Sequence, residues 1–138
     1  GTTITIEDLF HNMPQRKQAL RSPGEEFQRI SDVVSKYAVH NAHVSFMLRK
    51  FGEQPSLKTQ LGGSREQHIG TVFGTQIAKE LLSIELQDNV HKFQLHGLIS
   101  KVNYSAKKGI MLLFINHRLV ESAGEWNLCV IFIVYIFA

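Results

Sequence analysis

Apolar residues recur at three- and four-residue intervals from Phe27 through Ile30, Val33, Val34 and Tyr37 to Ala38, with Glu26, Arg29, Asp32 and Lys36 between them. That is the stripe of a helix with one buried face, expected to cover a sheet. Its start is written in Ser22-Pro23-Gly24-Glu25. Ser22 caps, Pro23 sacrifices no hydrogen bond in the first turn, and Glu25 completes a capping box. Elsewhere the period is two. Ile4 and Ile6 alternate with Thr3 and Thr5, predicting a strand that leads to a helix opening at Pro14. Val44, Phe46 and Leu48 alternate with Ser45, Met47 and Arg49, and Gly52 to Ser56 turns this strand onto Leu57–Leu61 as a hairpin.

Gly62-Gly63 breaks the chain, Ser64 caps, and Ile69, Val72, Phe73, Ile77, Ala78 and Leu81 show helical spacing interrupted by Gly74, which predicts two short helices. Ser83–Gln87 and Lys92–Ser100 form a second hairpin across Asp88-Asn89, with Phe93, Leu95, Gly97 and Ile99 sharing one face. The unbroken apolar run Ile110–Ile115, ending at Asn116-His117-Arg118, reads as a central strand covered on both faces. The fold class is therefore α/β (α+β), a mixed sheet with helices.

Composition narrows the class further. A chain of 138 residues with 43% hydrophobic content supports one domain with a core. Fifteen basic and twelve acidic residues give a net charge of +3, a mild bias toward polyanions. The single cysteine, Cys129, excludes an internal disulfide framework and fits a reducing compartment. The first residues lack a basic start and an apolar stretch, so no secretory signal is expected. Direct entry into strand-like sequence without Met suggests an upstream part.

His40 and His43 are the closest pair among seven histidines, without the four ligands zinc requires, and no metal site is expected. Cys129 sits in an apolar run, where a thiol is inert, and no catalytic triad can be assembled. Gly62-Gly63, Gly70 and Gly74 lack the spacing and lysine of a phosphate-cradling loop. Lys101, Lys107, Lys108 and Arg118 cluster at the ends of the last strands, a rim suited to phosphates or simply a solvated hairpin end. Asn116 is expected to fix a turn rather than touch a ligand.

Two strings carry a resemblance to a known family. Gly1-Thr2, Asp8-Leu9-Phe10, Asn12, Pro14, Arg16 and Lys17 follow the order of GTxxxVxDLFYNxPARRKFL, and Phe114-Ile115-Asn116-His117-Arg118-Leu119-Val120 is similar to FVNxRxV. Both belong to MutL-type mismatch-repair ATPases, which the chain resembles from Gly1 to about Ser122. The resemblance implies residues 1–20 as the end of the ATPase domain and its junction, and 21–122 as the transducer domain, of the ribosomal protein S-five domain 2-like type, C-terminally truncated. Residues 123–138 are left as a divergent apolar tail.

The resemblance further implies ATP with Mg in the full-length protein and Thr2 beside the nucleotide phosphates. It implies DNA held between paired arms, another MutL homologue as heterodimeric partner, MutS-type mismatch recognition proteins, no membrane, and a nuclear location. The family's catalytic residues would lie upstream, so this piece is expected to hydrolyse nothing. Its role would be to pass ATP binding on as clamp closure. The alternative is a stand-alone α/β nucleic-acid- or protein-binding module without nucleotide coupling.

The pattern departs from the family at His11, where tyrosine is usual, at Gln15, where a small residue is usual, and after Ser122. There the family continues with an amphipathic helix, a strand and a VDVNVHPxK-like loop. This chain runs instead into uncharged, nearly all apolar residues from Leu128 to Ala138, eleven in number and far short of the about 20 that span a membrane. Three readings are open: a substitute core strand, an exposed aggregation-prone segment, or residues with no selected structure. The last is the expectation, and deletion of Ala123–Ala138 should then leave solubility no worse.

Overall fold

The computed structural model describes residues 1–104, 109–121 and 131–137, the last of these through backbone and the side chains of Ile136 and Phe137. They fall into two units, Gly1–Val33 and Val34–Ala138.

In the first unit, Gly1–Glu7 forms neither helix nor strand, and Ile4 and Ile6 are 80% and 74% exposed. The strand expected there is not made, because alternation alone cannot satisfy strand backbone groups and no described segment pairs with it. Asp8 and Phe10 have φ of +46° and +63°, and the turns His11 N–H to Asp8 O (2.9 Å) and Met13 N–H to Phe10 O (3.0 Å) lead into helix α1, Pro14–Gln18. Its proline stands in the first turn as expected. Helix α2, Pro23–His40, starts on the capping box read in the sequence. Glu25 N–H donates to Ser22 Oγ and Ser22 N–H donates to Glu25 Oε2, each at 3.3 Å.

The second unit begins within α2, whose last residues Ala38, Val39 and His40 are buried. Strands β1, Met47–Leu48, and β2, Leu57–Lys58, pair antiparallel. Thr59 prolongs that hairpin, accepting from Phe46 N–H at Oγ1 (2.8 Å) and donating its own N–H to Phe46 O (2.9 Å). Helix α3, Arg65–Phe73, carries a second capping box, from Ser64 and Gln67. Gly74, at φ +104°, separates it from α4, Thr75–Lys79. Two short helices replace one because that φ excludes continuation of the helix.

The remaining strands are β3 (Leu81–Asp88), β4 (Phe93–Ser100), β5 (Ile110–Ile115), β6 (Arg118–Val120) and β7 (Ile131–Phe137), in the sheet order β3-β4-β7-β5-β6. All neighbours are antiparallel except β5 and β7. Leu98 and Leu112 are both in register with residue 133 and so share one face. On that face Leu98, Leu112 and Phe114 meet Val39 of α2 and Ile69 of α3, with Ile77 and Ala78 of α4 beside them. Ile69, Leu112 and Phe114 are at most 1% exposed, and such burial contributes about 2 kcal/mol each. This is the expected α+β class, helices on one face of a mixed sheet.

Two sequence expectations need correction here. Among the described residues strand β5 is deeply buried on one face and half-buried on the other: Leu112 and Phe114 are buried, whereas Met111, Leu113 and Ile115 are half-buried. In β4 the helices cover Leu98 and Ser100, a side set by register through β7 with Leu112. The C-terminal run supplies β7, paired on both edges, which is the core-strand reading rather than the favoured one. Cys129 lies outside the described residues.

Candidate functional site

Thr2 lies exposed on the segment without helix or strand. Lys107 and Lys108 lie outside the described residues. Lys101, just beyond β4, is held by the end of α4: its N–H donates to Glu80 O (2.8 Å), its Nζ donates to Lys79 O (3.1 Å), and Nζ stands 3.4 Å from Glu80 Oε2. A cation on the last carbonyls of a helix is a stabilising arrangement, so Lys101 has a structural task.

Arg118 opens β6 and is exposed, in register with Ile115. Because β4 runs antiparallel to β7 and β5 parallel to it, Lys101 lies at the end where β5 begins and Arg118 at the end where β5 finishes. Along β5 that separation is roughly 20 Å. Of the residues expected to form one rim, Lys101 and Arg118 thus stand at two ends of the sheet.

At the Arg118 end the structure assembles a cluster that sequence reasoning missed. Asn116 and His117 have φ of +46° and +64°, the two positive values of a tight hairpin turn between β5 and β6. Asn116 also donates its N–H to Ile136 O (2.9 Å). That turn sets His117 Nδ1 3.0 Å from Nε2 of His40, the last residue of α2. The His40 ring lies flat on Phe114, centroids 4.1 Å apart and planes 5° from parallel. Tyr37 meets Phe114 edge-on at 5.5 Å, and its hydroxyl accepts from Leu119 N–H at 3.4 Å. Phe137 stands edge-on to His117 at 5.2 Å and to His96 at 6.0 Å.

Burial holds the His40 pKa down to about 4, aided by the charges of His117, Arg65 and His43. Near neutral pH the ring is uncharged, and one imidazole of the pair donates while the other accepts. The pair ties the end of α2 to the β5–β6 turn. The sequence reading paired His40 with His43, three positions on; the true partner is 77 residues away, and its only local signal was an Asn-His turn where glycine is favoured in second place.

Beside this cluster a cleft of about 360 Å³ is lined by Arg65, Glu66, Ser83, Glu85, His96 and Phe137, among others. His96 Nδ1 stands 3.4 Å from Glu85 Oε1, and Arg65 with Glu66 and Glu85 puts charges of both signs on the lining. Among the described residues no group of three or more His, Cys, Asp or Glu is placed to hold a metal ion. Among the described residues, exposed Thr2 on its irregular segment forms no phosphate cradle by itself.

Together these features define a helix-backed mixed-sheet domain. A similar fold is found in the solved structure described as the crystal structure of the N terminal domain of a DNA repair protein, with a TM-score of 0.65 and 18% identity, covering 93% of this chain and 47% of that one. That likeness concerns the fold. Residues 69–128 match the family described as DNA mismatch repair protein, C-terminal domain. MutL protein homolog 1 of Schizosaccharomyces pombe is 42% identical over 126 residues, 88% of this chain and 18% of the relative. DNA mismatch repair protein MLH1 of Saccharomyces cerevisiae is 37% identical over 124 residues, 87% of this chain and 16% of that protein. DNA mismatch repair protein MutL of Lactobacillus helveticus is 32% identical over 123 residues, 88% of this chain and 19% of that protein. The chain belongs to the MutL family of DNA mismatch repair proteins. It spans less than a fifth of the length of these relatives. Among the described residues no helix is long and apolar enough to cross a membrane.

Proposed function

We propose that this chain is the transducer domain of a MutL-type mismatch-repair ATPase, relaying the nucleotide state of a neighbouring domain to closure of paired arms on DNA. The observation that carries the reading is the similarity to mismatch repair proteins across nearly nine-tenths of the chain. The chain's own part is mechanical. Packed elements such as α2, α3 and the sheet move as a body, and a two-state arrangement of arms is biased by whichever state they fit. Hydrolysis, ATP and Mg belong in this reading to the neighbouring domain, with Thr2 as this chain's contribution at the boundary. The partners are another MutL homologue, MutS-type mismatch recognition proteins and DNA, and the location is the nucleus.

For DNA, exposed Arg118 and the lysines Lys107 and Lys108 are the phosphate contacts, with Lys101 secondary because α4 already engages it. Exchange of this chain for the aligned segment of the Saccharomyces cerevisiae relative tests the whole reading. The chimera should lower the mutation rate of a strain lacking that relative, and Thr2→Ala should weaken the effect. A folded, expressed chimera with no effect would overturn the reading. Titration of the chain with duplex DNA at two salt concentrations tests the contacts. Arg118→Glu, Lys107→Glu and Lys108→Glu should each reduce the salt slope by about one, and binding indifferent to salt and to these three substitutions would favour a protein-binding module instead.

A further inference from the structure

The two edges of the large sheet are unlike. The β6 edge is three residues long and starts with Arg118, a short charged edge of the kind that resists further pairing. The β3 edge is eight residues, LLSIELQD, with no proline, glycine, lysine or arginine along it. Strand β3 pairs with β4 on one side and, among the described residues, with no strand on the other. Leu82 and Leu86 are 48% and 54% exposed, on the face away from the helices. Register with β4 puts Leu82, Ile84 and Leu86 beside Ile99, Gly97 and Leu95, so β3 is the border of an apolar face that stops abruptly.

We propose that β3 is the docking edge for a second copy of this chain, paired antiparallel about a two-fold axis through Ile84. Residues opposite each other in an antiparallel pair share a face, and symmetry fixes the rest. With Ile84 on the axis, Ile84 faces its own copy, Leu82 faces Leu86, Ser83 faces Glu85 and Leu81 faces Gln87. The apolar faces of both copies become continuous, and each Glu85 carboxylate receives a serine hydroxyl rather than another charge. Other registers fail on charge or on face. An axis through Glu85 opposes two carboxylates and sets Leu82 against Asp88. An axis between residues sets apolar Ile84 against Glu85 and the bare face of one copy against the helix side of the other. An axis through Ser83 leaves Leu86 uncovered. The self-complementary register is therefore a property of the sequence of β3 and of its place at the edge.

The test uses the full chain. Sedimentation should show a concentration-dependent monomer–dimer equilibrium. Ser83→Lys, which places a cation opposite Glu85 twice over, should tighten it, and Ser83→Glu should abolish it. Disulfide trapping then reads the register, in a Cys129→Ser background. Ile84→Cys should cross-link to itself on mild oxidation. Leu82→Cys and Leu86→Cys should each stay monomeric alone and cross-link when mixed. A chain that remains monomeric with no Ile84→Cys trapping overturns the proposal. So does a dimer that survives Ser83→Glu, which would mean that copies meet elsewhere, for example by stacking of their open sheet faces.

Discussion

His40 Nε2 and His117 Nδ1 lie 3.0 Å apart, joining the last residue of α2 to the turn between β5 and β6 while the His40 ring lies on Phe114. With His40 neutral, one ring of the pair donates and the other accepts. The His40 pKa falls from 6.5 in the unfolded chain to about 4 in the folded one, so the unfolded state takes up its proton first on acidification. Stability from this residue is complete above about pH 6.5 and is lost as pH falls toward 4, a total of roughly 3 kcal/mol at most. Urea unfolding at about pH 7.5, 6 and 5 should show a steeper loss for the native chain than for His40→Phe, which keeps a ring on Phe114 without a titrating group. Equal slopes would remove His40 as the source.

The turn itself gives up local comfort for this contact. His117 takes φ +64° where glycine is favoured, at a cost of about 1 kcal/mol. His117→Gly relieves that strain and loses the ring's contacts to His40 and Phe137. In a double-mutant cycle His117→Gly should cost more in the native background than with His40→Phe, by about 1 kcal/mol. It should also raise the His40 pKa, read by NMR, since His117 is among the causes that depress it. A cycle that closes to zero would mean that the pair adds nothing beyond burial.

His68 is a second buried histidine, 1% exposed, with Nδ1 2.8 Å from Ala38 O and Nε2 3.0 Å from Gln60 O. It links the end of α2 to the chain just after β2 from within α3. A phenyl ring fills the space and donates nothing, so His68→Phe leaves at least one of these carbonyls without its donor. The expected loss is about 2 kcal/mol, measured by thermal or urea unfolding. Gly63→Ala approaches the same ring, its Cβ 3.0 Å from Nε2, and should destabilise by displacing it. A tolerated pair of substitutions would show that His68 acts as filler alone.

What the sequence revealed and what it hid divide along one line. Ser22 with Glu25, Ser64 with Gln67 and Gly74 between two helices were legible because each acts within a few residues. The faces of β4 and β5 were not, since Leu98 and Leu112 are put on the covered side by register through β7, a strand far away in sequence. Alternation of Ile4 and Ile6 predicted a strand that needs a partner outside its own pattern. The basic rim looked continuous because Lys101 and Arg118 are near in sequence, whereas the direction of β4 and β5 sends them to opposite ends of the sheet. His117 broke a turn rule, and that violation, rather than any spacing of histidines, marked the cluster.

The C-terminal strand gives the sharpest contrast between the two views. Composition alone made Leu128–Ala138 a sticky appendage whose removal should help. In the structure β7 pairs along Phe132–Phe137 with β4 and along Ile131–Ile136 with β5, and β4 and β5 do not pair with each other. Removing it leaves two hairpins, β3-β4 and β5-β6, each with a newly bare apolar edge, and a lone hairpin is marginal in water. Truncation after Glu121 should therefore unfold the second unit, lose cooperative thermal unfolding and reduce the soluble yield sharply, with exposed edges driving aggregation. Circular dichroism and the soluble fraction on expression would measure this. A truncated chain that unfolds cooperatively at the native midpoint would show that β7 is dispensable and return the run to the role of an appendage.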